Sequence, residues 1–210
     1  MYYFLHPNPE ATVLGEQWTK LWCLTCAGHA LWSVAFPNTL RGSAVIVWLN
    51  TAFLAGQQYH ALQKLQTMEA SFGDKVKNYM MLVAPFSLHF GWITIASLLN
   101  TLCAINQSNA TAKNQLVAAL ISLTYGAGFM YTQAISGPDT AVAAAGVWAL
   151  TAVARREFKL PVNTGDKGAF VYPELVTDSI RTASVLGAVA VGVGATLRLG
   201  VTLYRTLSSR

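Results

Sequence analysis

Charge is the scarcest property of this 210-residue chain: 11% of its residues are Asp, Glu, Lys or Arg, against roughly 25% in an ordinary soluble domain. Six segments, 21–40, 42–63, 79–105, 115–136, 140–154 and 182–197, lack acidic and basic residues over most or all of their length. At about 1.5 Å per residue, Tyr79–Ile105 alone outspans the roughly 30 Å hydrocarbon core of a bilayer. A soluble globular domain is thereby excluded. Backbone groups in lipid must be satisfied within the chain, so runs of this length read as helices. The fold class expected is all-α, a polytopic membrane helix bundle of about six transmembrane helices (five to six), with 140–154 short enough to be tilted or re-entrant.

Other absences narrow the function. The apolar segments hold no carboxylate, no Lys and no Ser/His/Asp arrangement at readable spacing, so the chain is not expected to be an enzyme. A proton or ion pump is disfavoured as well, because relays need buried carboxylates. The basic residues are scattered among acidic ones with no recognition motif, which argues against nucleic acid. Three cysteines, all in predicted helices, make no disulfide framework. Cys23 and Cys26 form a C-x-x-C without a second pair, so they are read as packing residues and no metal site is assigned. Met1–Gln17 has two Glu, no basic residue and two prolines, so neither a secretory signal nor a transit peptide is expected there. The formal net charge is +5, but with six spans Lys and Arg fall seven to each side, which leaves orientation undecided.

What is present is organised around the central segment. Residues 1–17 are read as an interfacial N-terminal arm, with Tyr2, Tyr3 and Phe4 suited to a headgroup layer. Residues 18–210 are read as a single transmembrane domain with a surface loop at 155–181. In the first helix Trp22, Cys26, His29 and Ser33 share one stripe; Pro37 and a turn over 38–42 then make the first two helices antiparallel neighbours. Residues 64–78, mixed in charge, are read as a solvated loop. Pro85–Asn100 carries Ser87, His89, Trp92, Thr94, Ser97 and Asn100, which are costly to leave facing lipid and should turn toward protein or a cavity. Asp139 is placed to cap the following helix. In the last helix Ser184, Ala188, Gly192, Thr196 and Gly200 recur every four residues, a helix-packing face of small residues.

Three stretches carry a family resemblance. Trp92-Ile93-Thr94-Ile95-Ala96-Ser97-Leu98-Leu99-Asn100 resembles the W-V-x-F-A-x-x-L-N signature of the TspO/MBR family, the tryptophan-rich sensory or translocator proteins. The longer run F-S-L-H-F-G-W-I-T-I-A is similar to the F-S-I-Y-x-G-W-I-T-V-A of a branch with extra helices. Ala30–Phe36 resembles the family's N-x-x-W-x-x-x-F helix, with His29 where an Asn is expected, and Ala145–Leu150 resembles its V-G-V-W-A-L run. The family's first two helices, with the W-x-P-P loop, have no counterpart before Trp18.

The resemblance implies flat hydrophobic ligands such as porphyrins and sterols, and Trp92, Ala96 and Asn100 match its motif. His29, Trp32, His89, Trp92, Ala96 and Asn100 are accordingly the ligand- or lipid-facing candidates; a bound lipid is expected, with haem or another tetrapyrrole as the further cofactor. The missing cavity helices favour an accessory or structural subunit of a respiratory or photosynthetic complex, contacting membrane lipids and other subunits through the last helix, the N-terminal arm and the 155–181 loop. The alternative is a free-standing tetrapyrrole, sterol or lipid-binding sensor or transporter. The mitochondrial inner membrane is the expected location, ahead of the thylakoid or a bacterial inner membrane.

Overall fold

The computed structural model describes residues 15–107, 111–136, 139–155 and 174–208. Helices account for nearly all of them: α1 (Gly15–Asn38), α2 (Leu40–Thr67), a short α3 (Phe72–Asn78), α4 (Ala84–Gln107), α5 (Ala112–Ile135), α6 (Thr140–Arg155) and α7 (Glu174–Ser208), with no strand among the described residues. The N-terminal arm as far as residue 14 and most of the 155–181 loop lie outside the described residues.

Local chemistry sets the boundaries. A single residue, Thr39, separates α1 from α2, and its Oγ1 accepts the backbone N–H of Gly42 at 3.2 Å, so the expected turn over 38–42 shrinks to an N-cap. The composition predicts a loop over 64–78, yet α2 runs on to Thr67 and α3 occupies much of the remainder. The reason is a cap: Ser71 Oγ accepts from Asp74 N at 3.2 Å and donates to Asp74 Oδ2 at 2.7 Å, which starts a helix where charge alone suggests none. Between α3 and α4 a π-helical turn, Tyr79–Val83, precedes Pro85. Proline has no N–H and its ring clashes with the carbonyl four residues back, and the wider turn ahead of it relieves both. Asp139 caps α6 as its position predicts, accepting from Ala141 N at 2.9 Å.

By contacts the chain falls into two compact units, Met1–Ser97 and Leu98–Arg210, whose division lies inside α4. The first is an up-down-up set of three helices. Gly28 meets Asn50 and Leu21 meets Gly56, so α1 and α2 are antiparallel. Thr51 bonds Ser97 and Gln58 bonds Ser87, so α2 and α4 are antiparallel too. Trp18 and Trp22 both set their rings edge-on to Phe86, at centroid distances of 4.7 and 5.2 Å. That contact joins α1 to α4, and Trp18 also packs on the buried group Ala61, Leu62 and Val83.

The second unit repeats the pattern with α5, α6 and α7. Met130 on α5 covers Gly146 on α6, and Gly187 on α7 faces Ala127 and Leu150. Ala119 and Ile180 form a further buried contact against Leu102, Leu116, Leu123 and Val153. Two helical stretches are long and apolar enough to cross a membrane, 72–105 and 178–201, and Thr140–Arg155 is a shorter apolar helix.

The face that α7 buries is Ile180, Ser184, Gly187, Val191 and Gly194. Of the four-spaced row, Ser184 is fully buried and Thr196 is exposed, while a Cβ added at Gly192 or Gly200 would meet nothing within 4 Å. Geometry explains the divergence. A step of four advances about 40° beyond a full turn, so four such steps carry the row about 160° round the helix, whereas alternating steps of four and three hold one face.

Candidate functional site

The first unit buries a polar seam. On α1, Thr25 is fully buried and its Oγ1 bonds the carbonyl of Leu21 at 2.9 Å. One turn on, His29 Nδ1 lies 2.8 Å from the carbonyl oxygen of Thr25. A carbonyl can only accept, so Nδ1 carries the proton there, and in the neutral ring Nε2 presents a lone pair. On α4, His89 places its Nε2 3.3 Å from that nitrogen. The two rings are tilted by 50° with centroids 5.1 Å apart, so they converge through their Nε2 tips.

Two hydroxyl and amide contacts tie α2 to α4 along the same seam. Thr51 Oγ1 and Ser97 Oγ are 2.7 Å apart, and Ser97 Oγ is also within bonding distance of the carbonyls of Ile93, at 2.8 Å, and Val47, at 3.3 Å. Gln58 Nε2 donates to Ser87 Oγ at 3.3 Å. Immediately before each of these α2 residues sits an amide that has no such match. Asn50 is 1% exposed and Gln57 0%, and neither the nitrogen nor the oxygen of either side chain meets a hydrogen-bond partner. Each unmet buried polar group costs about 1–3 kcal/mol, so these are the most strained positions of the seam.

Of the six residues proposed from sequence, the structure joins His29 to His89. Trp32 lies tilted by 37° against Phe36 at a centroid distance of 5.1 Å, Trp92 is 39% exposed, Ala96 is half-buried, and Asn100 is buried in the second unit. The candidates read from the sequence include none of the buried polar residues of α2, Asn50, Thr51, Gln57 and Gln58. A signal existed: Ser43, Asn50 and Gln57 recur every seven residues, two helical turns, and all three are buried. At the C-terminal end of α2 an open cavity of ≈ 440 Å³ is lined by His60, Gln63, Lys64, Gln66 and Thr67.

A haem does not fit between the two histidines as they stand. Axial ligands on opposite faces of one iron need their nitrogens about 4 Å apart, twice a metal–imidazole bond of about 2 Å. The observed 3.3 Å leaves no room for a porphyrin plane.

On α7 and α5 one further contact has functional weight. Arg198 donates from its guanidinium to the carbonyl of Gln133 at 3.2 Å. Gln133 lies in the last turn of α5, where carbonyls lack intrahelical donors, so the arginine caps that helix C-terminus and favours its dipole.

Long apolar helices, buried polar seams and a near-absence of charge define an integral membrane protein of the helical-bundle class. A family model described as TSPO-like protein matches residues 1–196, and the chain belongs to that family. Among curated proteins and solved structures, none matches it.

Proposed function

We infer that this TSPO-like chain is a non-catalytic structural subunit of a larger membrane complex, holding lipid at its surface, in an energy-transducing organelle and first of all in the mitochondrial inner membrane. The observation that carries the reading is the outer row of α7. Gly192 and Gly200 have open space where a side chain would be, and Thr196 between them is exposed. In lipid, where apolar surface alone gives no drive to associate, small residues at four-residue spacing are what lets a second helix come close. The inner face of α7 already packs on α5 and α6, so this row is available to another chain. At 35 residues α7 is also about 52 Å long, which carries part of it beyond a roughly 30 Å bilayer core toward whatever lies outside. The absence of carboxylates and lysines from 79–105 and 182–197 agrees with a role without catalysis.

Native electrophoresis of mildly solubilised membranes with mass spectrometry of the bands tests the reading. Comigration with a defined set of other membrane chains supports it. Migration only as a free monomer or homodimer overturns it. A purified chain with a Soret band that disappears in His29→Ala would instead establish a free-standing tetrapyrrole binder.

A further inference from the structure

We propose that His29 and His89 form a binding site for a tetrahedral divalent transition-metal ion, best matched by Zn²⁺, held between α1 and α4 with its remaining coordination positions filled by water or an exogenous donor. No metal is assigned by the sequence motifs, because the two ligands lie sixty residues apart on different helices. Two independent features of the geometry point to it.

The first is the separation of the two ε nitrogens. At 3.3 Å the two nitrogens stand at the long end of hydrogen-bond distance. With zinc–imidazole bonds of about 2.05 Å, the same separation subtends an angle of about 107° at the ion, close to the tetrahedral value. Both rings aim these nitrogens inward, since the tips are closer than the ring centres.

The second feature is what holds His29. Metal-bound histidines almost always donate their other ring N–H to a carbonyl or carboxylate, which fixes the tautomer and orients the ring. His29 Nδ1 has that partner in the Thr25 carbonyl at 2.8 Å. Its Nε2 lone pair is therefore already in the form a metal requires. His89 needs only to carry its proton on Nδ1, so no net proton is released when neutral rings take up the ion. Imidazole is a preferred ligand of zinc, copper and nickel rather than of magnesium or calcium, which sets the chemical class.

Among the described residues no third His, Cys, Asp or Glu completes a cluster with the pair. The site is accordingly open, the arrangement that leaves a bound ion accessible to a further donor. A half-buried histidine pair set between two helices of a membrane bundle is where such a function is expected.

The full chain, purified in detergent or reconstituted in nanodiscs after chelator treatment, is loaded with Zn²⁺ and examined by zinc K-edge absorption. The expected result is one ion per chain with two imidazoles in its inner shell. Titration with Co²⁺ should give the visible bands of a tetrahedral ion, and His29→Ala or His89→Ala should each weaken binding tenfold or more while His60→Ala leaves it unchanged. An inner shell with one imidazole or none overturns the proposal and makes the pair a hydrogen-bonded clasp between helices, and so does Co²⁺ binding that survives both single substitutions. The absorption measurement uses the unsubstituted chain, so it decides even where a histidine variant fails to fold.

Discussion

Gly28→Ala tests how α1 and α2 are held together. A methyl group at Gly28 would overlap the carboxamide of Asn50, meeting its Oδ1, Cγ and Nδ2. Rotating the amide about its last bond does not clear the overlap, because Cγ itself is involved. Asn50 must leave its rotamer or the helices must separate, and with only Thr39 between them the separation is resisted. Overpacking of this kind costs about 1–3 kcal/mol. The alanine recovers about 1 kcal/mol of helix propensity, so the net destabilisation expected is about 0–2 kcal/mol. In an Asn50→Ala background the obstruction is gone and the same substitution should be neutral or stabilising. The assay is reversible unfolding in mixed micelles followed by helical circular dichroism, run as a double-mutant cycle. A Gly28→Ala effect equal in both backgrounds, within about 0.5 kcal/mol, would refute the packing argument.

Asn50→Leu replaces an unmet buried amide by an apolar group of similar size, and the same unfolding assay should show the chain unchanged or more stable by about 1 kcal/mol; a loss of more than that would mean the amide has a partner in the membrane. Thr51→Val and Ser97→Ala remove a buried hydroxyl pair between α2 and α4, and their coupling in a double-mutant cycle should be about 0.6 kcal/mol, the usual worth of an interhelical bond in lipid. Arg198→Leu removes the cap on α5 and should destabilise the chain by about 0.3–1 kcal/mol, with amide exchange rising first in the last turn of that helix. Gly192→Val should leave the purified chain at least as stable as before, since the added Cβ meets nothing within 4 Å and a helical glycine is replaced, yet remove it from the high-mass band on native gels; persistence in that band would argue against α7 as the docking helix.

The class of fold was legible because it follows from a bulk property. Runs without charge, as long as 79–105, have few homes other than a bilayer, and Trp92 to Asn100 carried the family. The cap at Asp139 was legible for the same kind of reason, being local chemistry between near neighbours. The helix over 72–78 was not, because its cap at Ser71 competes with a composition that otherwise reads as solvated. Hydropathy also fails for α2, which buries Asn50, Thr51, Gln57 and Gln58 against its neighbours. A windowed average adds those residues to the total as though they faced lipid, and so cannot distinguish a helix with a polar inner face from one that does not span.

The site shows the same limit more sharply. His29 and His89 each stood out as central in a span, and the spacing within either helix says nothing about the other ring. Pairing them depends on α1 and α4 being parallel at the right axial offset, which is fixed by contacts elsewhere: Trp18 and Trp22 on Phe86 at one end, and the α2 bonds through Ser87 and Ser97 that hold α4 in register. The α7 row shows the limit in the opposite sense. Its residues were read correctly as small and regularly spaced, but a period of four rotates off the face that a helix in a bundle presents, and the buried stripe from Ile180 to Gly194 follows a mean spacing near three and a half instead. A period of four that persists through Gly192, Thr196 and Gly200 therefore leaves the chain's own core, which is why the proposed docking of a second chain is argued from that row and not from the buried stripe.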